Sequence, residues 1–368
     1  MTIRKTENKG RILTIEHPTE SLPALTVFSG NAGQLLRGDI PTLNVLKAMR
    51  QRAQRNGVAY VIHIQEAGTI RKNSLGMTRL LEEVFGDEID IFRHGPEESN
   101  GQVRQGLEQY IVSSKSLAVR TRGIVHLPVV ERNVMRRNQR AAINTSYDFI
   151  LPGGEQAYLE TTGFHYDLGL TALSKRVSGL QALETQLGVE KLIQRDIEND
   201  SLSNGEAARK PLRGLKGLVT FSGDGNTRGL IGTRWHMDRI ESLKNGLGGD
   251  VKEATEEISV TANLPHSIQQ EFIGKKNPFL KLAGNIIDDV IYAIDDTTGS
   301  KWGERKLDHQ FYRDFTITHE GTLAPLDRFD IIENNVFYDF QNADHYFIST
   351  LFGYLMNNDQ EEKDGPSR

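Results

Sequence analysis

The stretch VTFSGDGNTRGLIGTRWH, residues 219–236, runs from a β-branched and aromatic strand into a loop carrying Gly223, Gly225, Gly229 and Gly232. A dinucleotide-binding fingerprint needs G-x-G-x-x-G between a strand and a helix, with an acid about 20 residues further on for the ribose. Here the third glycine, Gly229, comes one residue late, and RGLIG (228–232) places another, Gly232, where the helix should begin. No G-x-x-x-x-G-K-[ST] is present either. The spacing speaks against a nucleotide fold. Two readings of the loop stay open. One is a tight hairpin, which Asp224-Gly225-Asn226 favours. The other is a loop whose amides approach phosphates, with Arg228 and Arg234 supplying charge and Trp235 a stacking face.

Outward from this loop the elements alternate irregularly. GRILTIE (10–16), ALTVFS (24–29), VAYVIHI (58–64), RGIVHLPVV (122–130), LKGLVTF (215–221) and DFTITHE (314–320) read as strands. Helices are expected over Thr42–Asn56, Ser174–Asn199 and Ala343–Met356, with Gly179 and Gly188 kinking or dividing the second. Residues 94–106 and 199–214 read as loops. Strands and helices mixed in this way predict an α+β fold with a mixed or antiparallel sheet.

The chain has 368 residues, 37% hydrophobic and 25% charged, which suits a globular protein of one large or two ordinary domains. No apolar run approaches membrane-spanning length, so no membrane partner is expected. With no cysteine there is neither a disulfide framework nor a thiolate metal site, and the cytoplasm is the expected location. The net charge of −5 hides a strong segregation. Residues 113–140 hold seven basic side chains (Lys115, Arg120, Arg122, Arg132, Arg136, Arg137 and Arg140) against Glu131. Residues 209–239 hold seven against Asp224 and Asp238, whereas residues 314–344 hold seven acids against Arg328. Such blocks make one basic and one acidic surface, unless neighbouring segments neutralise each other in the fold.

The helix from Thr42 separates its faces. Leu46, Met49 and Ala53 fall on one side, and Lys47, Arg52 and Arg55 on the other with Arg50 at the border. No acid interrupts the stretch from Thr42 to Gly57, so the stripe suits phosphate tracking as well as ordinary solvation. In VVERNVMRRNQRAA (129–142), arginines interleaved with Asn133, Asn138 and Gln139 suit phosphate and base-edge hydrogen bonding, or a solvated helix. Acid–base and metal signals are sparse. Asp288-Asp289 and Asp295-Asp296 bracket the strand-like VIYAI, but no His-x-Glu or His-Glu-x-x-His accompanies them. His165, His236, His309 and His319 are scattered, and there is no G-x-S-x-G elbow.

Three segments in order, LTVFSGNAGQLLRGDIPTLNVLKAMRQRAQ (25–54), the glycine-arginine loop Gly223–Arg234, and HEGTLAPLDRFDIIENN with ADHYFISTLFGYLMN (319–335 and 343–357), carry a resemblance. Together they resemble the repeated RNA-binding backbone subunits of multi-subunit CRISPR effector complexes. The resemblance implies a ferredoxin-like (RNA-recognition-motif-like) palm with large insertions. A single domain, 1–356, would hold a palm (about 8–66 and 211–356) and an inserted region (about 67–210), before a disordered acidic tail, 357–368. It further implies a non-catalytic subunit that polymerises along a guide RNA and leaves its bases free for a target nucleic acid, beside copies of itself and other effector subunits. Lys47, Arg50, Arg228 and Arg234 would contact phosphate, and the basic residues 115–140 would lie in an inserted finger. No cofactor is implied. Two other classes remain. One is a self-assembling phage or virion structural protein. The other is a metal-dependent nucleic-acid-processing enzyme using the carboxylates of 288–296.

Overall fold

In the computed structural model the described residues are 21–32, 39–67, 76–95, 108–128, 140–166, 174–202, 211–225, 234–258, 262–263, 304–337 and 345–356. In chain order they form β1 (Ser21–Asn31), α1 (Asp39–Asn56), β2 (Ala59–Gln65), α2 (Met77–Phe85), β3 (Ile89–His94), β4 (Gln109–Ser114) and β5 (Ala118–His126). Then come β6 (Ala141–Ile150), β7 (Gln156–His165), α3 (Ser174–Leu202), β8 (Lys216–Asp224), α4 (Arg234–Gly246), β9 (Lys252–Glu253) and β10 (Ala262–Asn263). The last elements are β11 (Glu304–Arg305), β12 (Asp308–Ile317), β13 (Leu323–Pro325), β14 (Phe329–Phe337) and β15 (Phe347–Leu355).

Two mixed sheets stack face to face. The first has the order β14-β15-β1-β2-β4-β3 and the second β13-β12-β8-β7-β6-β5, with β9 also on β12. Within them β1–β2 and β7–β8 are parallel. Helices α1 and α2 cover the outer face of the first sheet through Val45, Leu46, Met49, Leu80 and Leu81. Helices α3 and α4 cover the second through Ala182, Val189, Ile193 and Leu243. This architecture overturns the ferredoxin-like palm, because residues 67–210 supply strands to both sheets.

Burial on both faces explains several misread elements. A strand covered on both sides shows no polar–apolar alternation. FISTLFGYL (347–355), expected as a helix, is β15, wholly buried except at its last residue and paired with β14 and β1. Helix α3 runs unbroken for 29 residues. Its Gly179 and Gly188 mark close packing, since a Cβ there would strike Ser242 of α4 and Val125 of β5. Strand β8 ends at Asp224 between parallel β7 and antiparallel β12, and the chain next appears in α4. A Cβ on Gly223 would land on the carbonyl oxygen of Phe164, so only glycine lets β8 lie there. Expected strand 10–16, most of both expected loops, residues 129–139 and 226–233, the 288–296 carboxylates and the tail fall outside the described residues.

The layer between the sheets changes character along the strands. At one end Val27, Val61, Leu159, Leu218, Tyr312 and Phe352 form an apolar core. Further along, His63 Nε2 meets Thr161 Oγ1 at 2.8 Å, and Thr161 meets Thr220 at 2.9 Å. Burial alone holds the His63 pKa down at about 3, so this ring stays neutral. Beyond that tier, where β1, β2, β7 and β8 all end, the side chains are acids, amides and imidazoles.

Candidate active site at the strand ends

Parallel pairing brings Asn31 opposite Gln65 and His165 opposite Asp224, while antiparallel β12 begins with Asp308 opposite Asp224. Residues two apart on a strand share a face, so Asn31, His165, Asp224 and Asp308 continue the polar inner rows. Glu66 follows β2 with φ 54°, a left-handed backbone uncommon for a non-glycine residue. His345 precedes β15, antiparallel to β1, and so arrives at the same end.

The six side chains form a chain of acid–base contacts. His345 Nδ1 lies 2.8 Å from Asp308 Oδ2, and its Nε2 lies 4.0 Å from Asp224 Oδ2. The Asn31 amide donates to Asp224 Oδ2 at 3.4 Å. His165 Nε2 stands 3.2 Å from Glu66 Oε1 and 3.6 Å from Asp224 Oδ2. Asp224 and Asp308 are buried, whereas the Glu66 side chain is 30% exposed and gives the cluster its opening to solvent. Burial, then the charges of Arg140 and His345, hold the His165 pKa well below the usual imidazole value. His165 is therefore a neutral ring that orients carboxylates, and it feels the charge of Arg140.

A second tier steadies the start of β12. Leu307 accepts a backbone hydrogen bond from Gly225 at 2.8 Å, which ties the residues next to Asp308 and Asp224 together. Glu253 of β9 lies 2.7 Å from Lys306 Nζ and 3.1 Å from His309 Nδ1. Burial pushes the Glu253 carboxyl up, but His309 and Lys306 overcome this and hold it at about 2.

Of the basic residues predicted to meet RNA, Arg140 alone, among the described residues, acts electrostatically on the cluster. Arg50 donates to Val84 O and pairs with Glu88, and Arg52 pairs with Glu333. Lys47 and Arg55 are exposed on α1 and Lys115 on the turn after β4. Arg120 is buried, bound to Asp148 at 2.6 Å and Asp200 at 2.9 Å. Arg122 lies over the Phe92 ring at 5.5 Å. Arg132, Arg136, Arg137 and Arg228 lie outside the described residues, as do the side chains of Arg234 and Trp235 at the start of α4.

The sequence reading missed Asn31, Glu66, Asp224, Asp308 and His345 as a group and left His165 unassigned. One signal was available. A polar or charged residue closes each apolar strand run, in VFSGN31, VIHIQE66, GFH165 and TFSGD224. No short-range spacing joins them, because parallel pairing collects residues more than 30 positions apart.

Neither a protein-family model nor a curated protein matches the chain. Solved structures similar in shape include an endonuclease/exonuclease/phosphatase family protein from Bacteroides thetaiotaomicron, 12% identical, with 90% of this chain and 98% of that chain covered and a TM-score of 0.47. The catalytic domain of human Nocturnin with bound sulfate anion is 11% identical over 93% of this chain and 100% of that one, with a TM-score of 0.46. Truncated Caenorhabditis elegans TDP2 is 13% identical over 89% and 97%, with a TM-score of 0.46. These are coarse likenesses of shape. The resemblance to CRISPR backbone subunits is corrected by the fold, which is a two-sheet sandwich and not a ferredoxin-like palm. The guide RNA, the effector partners and the non-catalytic role fall with it.

Proposed function

We propose that the chain is a hydrolase of phosphoesters, working at the strand-end cluster of Asn31, Glu66, His165, Asp224, Asp308 and His345. The observation that carries this reading is the Asp308–His345 pair facing Asp224 across 4.0 Å. Asp308 fixes the Nδ1–H tautomer of His345 and steadies the imidazolium that forms when Nε2 takes a proton from an attacking water. Asp224 adds a negative charge on the Nε2 side, and Arg140 supplies positive charge for an anionic substrate.

The cluster suits a hard divalent cation. Among the described residues no three His, Asp or Glu side chains form a metal-holding group. Glu66 and Asp224 nevertheless approach one His165 nitrogen together. Magnesium is commonly held by one or two carboxylates, with waters and substrate phosphate completing its shell. Glu66 and Asp224 would hold it, and bound there it would neutralise charge on the phosphoryl group. The metal-dependent enzyme reading of the sequence thus returns on different carboxylates from those of 288–296.

The test is release of 4-nitrophenol from bis(4-nitrophenyl) phosphate and 4-nitrophenyl phosphate with magnesium or manganese present. Activity abolished by Asp308→Asn and His345→Ala supports the reading. Full activity in both variants, or none in the folded wild type with any divalent ion, overturns it. Among the described residues no helix is long and apolar enough to cross a membrane. A cysteine-free chain with this chemistry suits the cytoplasm.

A further inference from the structure

A second site, independent of the proposed hydrolytic reaction, lies at the open edge between the two sheets. Strands β3 and β5 are the edge strands of the first and second sheet. Each ends in a histidine. The rings of His94 and His126 face each other across the gap, with centroids 6.1 Å apart and planes inclined at 71°.

Gln109 of β4 is tied to both strands. It is opposite His94 in the register of β3 and β4, so the two side chains share a face. Its Nε2 donates to Ala141 O at 2.6 Å, and Ala141 is the register partner of His126. That bond fixes the amide orientation and leaves Oε1 as the acceptor. Gln109 is 3% exposed, and Oε1 has no hydrogen-bond partner among the described residues. A buried amide oxygen without a partner is uncommon, and this one belongs to a residue paired with His94 and bonded to the register partner of His126, so it calls for a ligand.

We infer that His94, His126 and the side-chain oxygen of Gln109 bind a transition-metal dication of the zinc type, clipping the two sheets together at this edge. Imidazole nitrogens hold zinc at about 2.0–2.1 Å, which sets two ring centroids on one tetrahedral ion roughly 5 Å apart. A small side-chain swing closes the difference from 6.1 Å. Coordination requires neutral rings. Two nitrogens and one neutral oxygen favour zinc, nickel or copper, whereas Glu66 and Asp224 offer hard oxygens suited to magnesium.

Zinc chloride added to the full chain, labelled with 15N-histidine and held in excess magnesium, tests this. The expected result is that one equivalent of zinc shifts the ring nitrogens of His94 and His126 together. His94→Gln should abolish the shift at His126, and each single variant should lose zinc affinity on the order of tenfold or more in calorimetry. Neither residue anchors a hydrophobic core, so folding of the variants is checked by an unchanged melting curve without zinc. His126 responding normally in His94→Gln, or neither ring responding in the wild type, overturns the inference. No readout depends on turnover, so a failed phosphoester assay leaves this test intact.

Discussion

Two buried acid clusters occupy opposite faces of the second sheet. On the inner face, at the strand ends, Asp224 and Asp308 face imidazoles, and Glu66 opens to solvent. On the outer face, beneath α3, Asp196 accepts from Thr121 at 2.5 Å, Ser146 at 2.6 Å and Tyr158 at 3.0 Å. Beside it Arg120 binds Asp148 and Asp200, and Asp200 also accepts from the Leu212 amide. The outer acids are quenched by hydroxyls and one guanidinium and roofed by a helix. They dock α3. The inner acids pair with groups that exchange protons, and one of them remains accessible. Burial and charge are common to both clusters, so neither marks a site. Placement at the strand ends and the pairing of acid with base distinguish the one that can do chemistry.

The comparison breaks if the two clusters respond alike to mutation. The largest effect is expected at the inner face. His345→Asn, whose amide can still donate to buried Asp308, should lower turnover of a phosphodiester on the order of 10³-fold while leaving the urea midpoint nearly unchanged, as removal of a positioned proton acceptor does. Arg120→Ala should do the reverse. Removing one partner of a buried ion pair strands Asp148 and Asp200, with a cost of about 3 kcal/mol. Equilibrium urea unfolding gives that loss, and turnover per folded molecule should hold. Arg120→Ala acting on turnover without loss of stability would place the outer cluster in the mechanism and erase the distinction.

The legible parts of the fold were the apolar runs, 24–29, 58–64 and 215–221, which overlap β1, β2 and β8, and the helix whose faces separate. Helix α1 separates Leu46, Met49 and Ala53 from Lys47 and Arg55, and its expected span, Thr42–Asn56, lies within Asp39–Asn56. Strands β6 and β7 were missed because their buried faces carry Asn144, Ser146, Glu160 and Thr162, which read as surface. Their partners are each other and α3, which no local pattern reveals. The inner cluster was hidden for a related reason. Asp224 looked like a turn residue within SGDGN, and only pairing of β8 with β7 and β12 puts it beside His165 and opposite Asp308. Arg120, expected in a basic RNA-binding finger, is paired instead with Asp148 and Asp200, because these acids come from β6 and α3.

The smallest effect concerns Glu160, which separates the clusters by their response to pH. Glu160 is fully buried, accepts from Tyr158 at 3.1 Å, and has no cation among the groups that shift it. Burial, then the charge of Asp196, raises its pKa well above the usual carboxylate value. A group that binds its proton more tightly in the folded state stabilises the fold at low pH. That contribution declines as pH rises from the unfolded value toward the folded one. Over this window each unit of pH should remove up to about 1.4 kcal/mol. Glu160→Gln keeps the shape of the protonated side chain and cannot ionise. Its urea midpoints at pH 5, 7 and 9 should therefore fall less with pH than those of the wild type, the gap widening toward alkaline pH. Parallel midpoints in the two proteins would mean that Glu160 ionises in place without cost. The outer cluster would then be an open, solvated one like its counterpart across the sheet.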